Sequence, residues 1–414
     1  MNIFKLNDSI DEDSYTNDQI DALKKCEEFL NSDEKYFLLS GFAGSGKTSI
    51  IENILKYSNG SVLAPTNTAV KRLREKINLP NERFETIHSC IYGSPDPDTG
   101  EWIPKSIERN RTYIIDESSM ISIDIFNDIL SLSSENNNKI IFVGDSYQIE
   151  PVGKDPELFK WNEKYNCFNP KYKVLMSEVK RTDNGILTVS NDIRVNLYNR
   201  IIANKDVEVV KKFGKLLKEC IINNKNYVII VATNKSRMKW NATARKLKKF
   251  ESIVNSGEKV MAVANNRLLN SEIVYLQNPK LVKSFKDVKV NIGTERYPNN
   301  KMYDMHFVID SNRTILFIPE LDIPSLHGPQ LVEAFQDDEM FVNTTNFGKR
   351  WNKNVDICTY AYAITTHKAQ GQEYDYVFID VNWLHHDWNH SRWWYTAVSR
   401  GKKYVQIKES EMIK

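Results

Sequence analysis

Residues 36–55 read YFLLSGFAGSGKTSIIENIL, and this stretch decides the fold. The apolar run YFLLS reads as a buried strand, and SIIENILKY has the character of a helix. Between them, Gly41 to Thr48 match the pattern G-x-x-x-x-G-K-[ST] in its strand–loop–helix context. Gly44 and Gly46 permit backbone conformations that turn successive N–H groups toward a phosphate. The helix beginning there adds its positive dipole end. Lys47 is placed to reach the β- and γ-phosphates of a nucleoside triphosphate, and Thr48 to ligate Mg²⁺. The cofactor-binding set is Gly44, Ser45, Gly46, Lys47, Thr48 and Ser49.

Further β-rich runs lie outward from this loop: SVLAP (61–65), TYIIDE (112–117), KIIFVGD (139–145), YVIIVAT (227–233), YDYVFID (374–380) and KYVQI (403–407). They are continuously apolar rather than alternating, as in parallel sheets covered on both faces. They form two clusters, which predicts two α/β domains divided near Glu178. Asp116 follows its strand, where an acidic residue can hold Mg²⁺. Glu117 is a candidate base for an attacking water, although both carboxylates could equally cap the next helix with Ser118. Gln148, after Asp145, is placed to sense a γ-phosphate or position the water. All these residues fall just past the carboxyl ends of predicted strands, where open α/β sheets bind ligands.

The chain of 414 residues carries a formal charge of only +2, with 41% hydrophobic and 27% charged residues. That composition excludes bulk disorder. No apolar run approaches the roughly 20 residues that span a bilayer, and the acidic N-terminus has no signal-peptide character. Five scattered cysteines without a CxxC pair suggest neither a disulfide framework nor a zinc site. The expectation is a soluble intracellular protein. Charge is nevertheless uneven: residues 179–250 hold 17 basic and five acidic residues, whereas residues 1–34 hold ten acidic and three basic. A solvated helix face explains such a basic run as well as an anionic ligand does. Two insertions interrupt the α/β pattern. Residues 89–111 contain IYGSPDPDTGEWIP, whose turn signals predict a β-hairpin. Residues 258–354 read as antiparallel strands joined by Asn- and Pro-rich turns, a small β domain.

Taken in order, GFAGSGKTS, LAPTNTAVKRL, TIHS, YIIDESSM, IIFVGDSYQIEPVG, EVKRT, AITTHKAQGQEYDYVFID and YTAVSRGKKY resemble the successive motifs of superfamily 1 helicases. The resemblance is to the B branch and its RecD-like group. It implies an α/β fold of two RecA-like P-loop domains, residues 1–178 and residues 179–257 with 355–414. The inserted hairpin belongs to the first domain, and an inserted SH3-like β domain to the second. It implies ATP and Mg²⁺ as cofactors, with ATP between the domains and single-stranded nucleic acid across their tops. Lys47, Thr48, Asp116, Glu117 and Gln148 keep the roles argued above. Arg181 and Arg400 match the family's two arginine fingers, whose guanidinium would offset charge on the γ-phosphate. Gln370 and Gly371 fall where the family couples that phosphate to the strand. Gln19 matches the adenine-reading glutamine, but Thr16-Asn-Asp-Gln19 is also a capping box.

For the strand itself, Pro65, Thr66 and Asn67 open a helix where a backbone phosphate fits. Thr86, His88, Asn234, Lys235, Thr365 and His367 match the family's other nucleic-acid motifs, although each also suits a turn or core. The resemblance makes the basic run more plausible as an electrostatic track. Trp102, in the hairpin, is the candidate for meeting bases at a fork; its alternative is a cross-strand pair with Tyr92. Trp393, Trp394 and Tyr395 read as core, and His385, His386 and His390 do not form a metal site without supporting Cys or carboxylates. The family lends the inserted β domain an Asn-Gly turn that NRLLNSEIV lacks, and it does not place SLHGPQLVEAFQDDEMF. The function implied is an ATP-dependent DNA helicase moving 5′ to 3′ on single-stranded DNA and opening forked duplex. It would act as a monomer in the cytoplasm (the host's, if phage-encoded), without membrane, with single-stranded DNA-binding or replication proteins as candidate partners. An RNA helicase, a protein-displacing translocase and, more distantly, a P-loop kinase or switch protein are the alternatives.

Overall fold

The computed structural model describes residues 15–80, 83–95, 102–149, 170–178, 185–195, 201–264, 268, 270–290, 301–322, 355–385 and 388–410. The chain divides into two compact units, residues 1–202 with 387–399, and residues 203–386 with 400–414.

The first unit holds β1 (Tyr36–Gly41), β2 (Ser61–Ala64), β3 (Phe84–Thr86), β4 (Tyr92–Pro95), β5 (Trp102–Pro104), β6 (Thr112–Ile115), β7 (Lys139–Gly144) and β8 (Tyr172–Met176). Six of these form one parallel sheet in the order β3-β2-β6-β7-β1-β8. Its helices are α1 (Asn17–Leu30), α2 (Lys47–Tyr57), α3 (Asn67–Lys76), α4 (Ile87–Ile91), α5 (Ile123–Glu135) and α6 (Gly185–Val195). Side chains alternate along a strand, so each buried strand feeds both faces. Phe37 and Leu39 enter a cluster with α1, α2 and α3, whereas Leu38 enters another with Phe126 and Ile129 of α5.

The second unit holds β9 (Val207–Val210), β10 (Tyr227–Val231), β11 (Lys259–Ala262), β12 (Ile273–Tyr275), β13 (Pro279–Val290), β14 (Lys301–Asp310), β15 (Arg313–Phe317), β16 (Val355–Tyr360), β17 (Ala363–Thr365), β18 (Tyr374–Asp380) and β19 (Gly401–Lys408). Its helices are α7 (Lys215–Ile222), α8 (Asn234–Leu247) and α9 (Thr366–Ala369). The helix α10 (His390–Val398) packs on α6 and belongs to the first unit. A parallel sheet runs β17-β10-β18-β19-β9, and a mainly antiparallel one runs β12-β11-β16-β15-β14-β13.

Three details depart from the boundaries read in the sequence. Both α6 and α10 pack in the first unit, although a division at Glu178 assigns them to the second. The small β sheet also takes in β16, so its last strand runs beyond residue 354 to Tyr360. The β11–β12 hairpin does without glycine at its turn, because Ser271 takes the left-handed conformation at φ +68° and its N–H bonds Ala262 O at 2.8 Å. The stretch SLHGPQLVEAFQDDEMF lies outside the described residues.

The two sheets of the second unit meet at a polar seam. Asn241 of α8 donates to Tyr360 O at 3.1 Å and accepts from Ala363 N at 2.9 Å, covering the step between sheets. Lys259 is only 3% exposed. Its ammonium donates to Tyr227 O and lies 4.2 Å from the Tyr227 ring centroid. Burial lowers its pKa from 10.5 to about 7. Between those values the unfolded chain binds more protons than the folded one, so this group makes stability rise with pH. We expect wild type to gain about 1 kcal/mol per pH unit relative to Lys259→Met between pH 7 and 9 in urea unfolding, somewhat below the limit of about 1.4 kcal/mol per pH unit for one proton.

Candidate nucleotide site and nucleic-acid face

In a parallel sheet all carboxyl ends lie on one edge. The loop Gly41–Thr48 leaves β1, Asp116 and Glu117 leave β6, and Asp145 leaves β7, so strand order brings these segments together. Gly44 and Gly46 adopt φ of +79° and +86°, the left-handed region the loop requires. A Cβ on Gly46 would also stand 2.1 Å from Gln19 Nε2. The N–H groups at the start of α2 are thereby left facing outward as an anion cradle. Lys47 Nζ donates to the carbonyls of Gly41 at 2.8 Å and Phe42 at 2.9 Å. Burial lowers its pKa, and Asp145, Glu117 and Asp116 oppose that shift.

Gln19 is buried, and its amide is used at both ends. Thr16 N donates to Gln19 Oε1 at 3.1 Å, completing the capping box of α1, and Gln19 Nε2 donates to Ser45 O at 2.9 Å. The cap and the contact with the phosphate loop therefore coexist in one side chain.

Asp116 and Glu117 are both buried, 4% and 7% exposed. Burial and the neighbouring Glu117 raise the Asp116 pKa to about 6, against the pull of Arg72. Glu117 takes a left-handed backbone at φ +51°, uncommon for a residue with a side chain. Arg72 of α3 faces the pair, 3.1 Å from Glu117 Oε1 and 3.6 Å from Asp116 Oδ2. Sequence reading missed Arg72. The available signal was its place three residues beyond Ala69, on the side of α3 that turns inward. Among the described residues, Asp116 Oδ2, Ser40 Oγ, Ser118 Oγ, Ser119 Oγ and Gln148 Oε1 are buried without a hydrogen bond. Such an oxygen-only donor set suits a hard divalent cation.

Asp145 is fully buried. Arg194 of α6 and the hydroxyl of Tyr395 both donate to its carboxylate, as does Tyr147 N at 3.0 Å. Trp393, Trp394 and Tyr395 are core, as read from the sequence. Arg181 lies outside the described residues. Arg400, buried in the second unit, has Nη1 at 3.4 Å from Gln372 O. Gln370 is the C-cap of α9, and Gly371 follows at φ +71°.

Register pairs the nucleic-acid candidates within each unit. Ala64 lies opposite Thr86, so Pro65, Thr66 and Asn67 leave the sheet beside Thr86 and His88. Val231 lies opposite Thr365, so Asn234 and Lys235 leave beside Thr365 and His367. Several of these side chains already have local work. Thr66 caps α3 and Thr86 caps α4, at 3.2 Å and 3.1 Å, and the Asn234 amide donates to Asp322 O. The hairpin β4–β5 forms with Trp102 opposite Pro95 and Tyr92 opposite Pro104, a register that does not set Trp102 directly across from Tyr92, as the alternative reading required. Tyr92 turns into the core and donates to Asp128.

Comparison with known proteins adds to this geometry. Residues 14–199 match the model of an AAA domain, and residues 360–407 that of a UvrD-like helicase C-terminal domain. An uncharacterized protein of Acanthamoeba polyphaga mimivirus is 26% identical, covering 88% of this chain and 93% of its own. The RecBCD enzyme subunit RecD of Buchnera aphidicola subsp. Schizaphis graminum is 24% identical, covering 93% of this chain and 72% of its own. The structure of Bacteroides Pif1 bound to ssDNA has a TM-score of 0.53 at 16% identity, covering 95% of this chain and 92% of that one. No helix among the described residues is long and apolar enough to cross a membrane.

Arg72 neutralises two buried carboxylates, so its removal leaves them facing each other. Arg72→Met is expected to lower the unfolding free energy by about 2 kcal/mol in chelator, and Glu117→Gln to restore part of that loss. Urea unfolding of the two single variants and the double variant checks both.

Proposed function

The chain is a superfamily 1 helicase of the RecD-like group, and we propose from that premise that it is an ATP-dependent DNA helicase moving along a single strand. The observation that carries this reading is the shared edge of the first sheet, where the phosphate loop, the Asp116–Glu117 pair and Gln148 converge. In this reading the backbone N–H groups at the start of α2 hold the phosphates. Lys47 exchanges the carbonyls of Gly41 and Phe42 for phosphate oxygens. Thr48 and Asp116 would hold Mg²⁺, which when bound supplies charge stabilisation at the phosphates. Glu117 takes the proton of the attacking water, and Gln148 orients that water. The αL backbone of Glu117 is the kind of strained position that clusters at active sites. Adenine recognition by Gln19 requires one of its two amide bonds to open.

Arg400, and Arg181 with it, would complete the charge balance on the γ-phosphate. The paired segments at the edges of the two sheets would grip the strand backbone, with Gln370 and Gly371 linking grip to nucleotide. Support for DNA as the strand comes from the relatives named above. The polarity, 5′ to 3′, and action as a monomer follow the family resemblance. Strand displacement with 5′-tailed and 3′-tailed DNA and RNA duplexes tests strand type and polarity together. ATP turnover that is indifferent to every oligonucleotide would instead favour a switch-type nucleotide hydrolase.

Two substitutions separate binding from chemistry. Lys47→Ala should weaken ATP binding by about tenfold or more through loss of a charge-assisted phosphate contact. Glu117→Gln should bind ATP and fail in single-turnover hydrolysis, because an amide cannot accept the water's proton. Normal hydrolysis by that variant removes Glu117 from the role of base. At the hairpin, Trp102→Ala should slow forked-duplex unwinding severalfold with DNA-stimulated ATPase intact, the loss of one base-stacking contact. Parallel loss of both activities, with circular dichroism unchanged, argues against a fork-separating role.

A further inference from the structure

The front half of the phosphate loop is held from outside the loop. Phe42 N donates to Met176 O at 2.9 Å. The Arg194 guanidinium lies 4.1 Å from the Phe42 ring centroid, within the favourable range for a cation over an aromatic face. Ala43 N donates to the hydroxyl of Tyr395 at 2.8 Å, and that hydroxyl donates onward to Asp145. Asp145 also receives Arg194, so its two oxygens join α6 to α10. Tyr147 closes the cluster, edge-to-face with Tyr395 at 5.6 Å. Asp145 and Tyr395 are buried and the Arg194 side chain is only 9% exposed, and none of the three has a part in the hydrolysis argued above.

Tyr395 is engaged at both ends. Its hydroxyl meets the phosphate loop, and its carbonyl accepts from Ser399 N at 3.0 Å, the residue before Arg400. We propose that Tyr395 is a positioning residue for the phosphate loop, and that the Arg194–Asp145–Tyr395 cluster makes nucleotide binding felt along α10. The inference deepens the nucleotide-site reading of the preceding subsection and rests on it. The physical reason is the absence of slack. A loop that shifts on taking up phosphates drags Ala43 N–H, and the buried hydroxyl it bonds cannot turn to water instead. Burial and the Asp145 carboxylate raise the Tyr395 pKa far above the usual value, so the hydroxyl stays a donor toward Asp145.

The test compares full-length wild type, Tyr395→Phe and Thr396→Val. Thr396→Val removes a neighbouring buried bond of α10, to Ile149 N at 2.8 Å, without touching the phosphate loop. A fluorescent ADP analogue measures affinity without DNA, and hydrogen exchange follows the amides of residues 390–400 with and without saturating ADP and Mg²⁺. Wild type should show ADP-dependent slowing of α10 exchange. Tyr395→Phe should bind about tenfold more weakly, the effect of leaving Ala43 N–H and an Asp145 oxygen unpaired, and lose the ADP-dependent slowing. Thr396→Val should lose thermal stability but keep affinity and slowing. If Tyr395→Phe does not fold, Arg194→Lys takes its place. It keeps the charge beside Asp145, loses the planar stack on Phe42, and should show the same losses in smaller degree. Wild-type affinity and slowing in Tyr395→Phe, or equal losses in Thr396→Val, overturn the inference. Failure of wild type to bind ADP overturns instead the nucleotide-site reading beneath it.

Discussion

The Asp145 carboxylate has no access to water, and a buried charge of that kind persists only where donors surround it. Arg194, the Tyr395 hydroxyl and Tyr147 N supply them, each from a different segment. The requirement to satisfy one carboxylate thus gathers α6, α10 and the loop after β7 around the phosphate loop. Together with the buried Trp393, Trp394 and Val398, these bonds hold α10 in the first unit.

A second buried charge problem is solved beside the first. Asp116 and Glu117 are adjacent, buried and of like sign, and Arg72 reaches both. Arg72 thereby opposes the rise in the Asp116 pKa that burial and the neighbouring Glu117 cause. Acceptors without hydrogen bonds gather at the same edge of the sheet. A site built this way is stable through its charges and still has oxygen valence to offer a cation.

Much of the fold was legible because its signals are local. Central strands such as β1, β2, β6, β7 and β10 are continuous apolar runs, whereas β3, β8 and β9 at the sheet edges mix in polar residues and gave no such signal. Gly44 and Gly46 take the backbone conformations their spacing requires. The capping box at Thr16 and Gln19 forms as written. The hairpin at 92–104 was legible from its turn residues, but its pairing was not. Opposition of Trp102 to Pro95 depends on register, and Tyr92 has a better use for its ring in the core than on the hairpin. Ser271 in a left-handed turn was illegible for a similar reason, since the hairpin's backbone bonds, not serine's own preference, hold it there.

By itself the sequence determined the central strands, the phosphate loop and the order of motifs, because periodicity and glycine spacing act over a few residues. Tertiary structure alone decided which motifs stand side by side. Strand order sets Pro65–Asn67 next to Thr86, and Asn234 next to Thr365, through pairings that no local preference encodes. It also decided the partners of Asp145, Asp116 and Glu117, because desolvation penalises an unpaired charge wherever its partner lies along the chain. Tyr395 is 250 residues from Asp145 in sequence, and only burial of both explains why they bond.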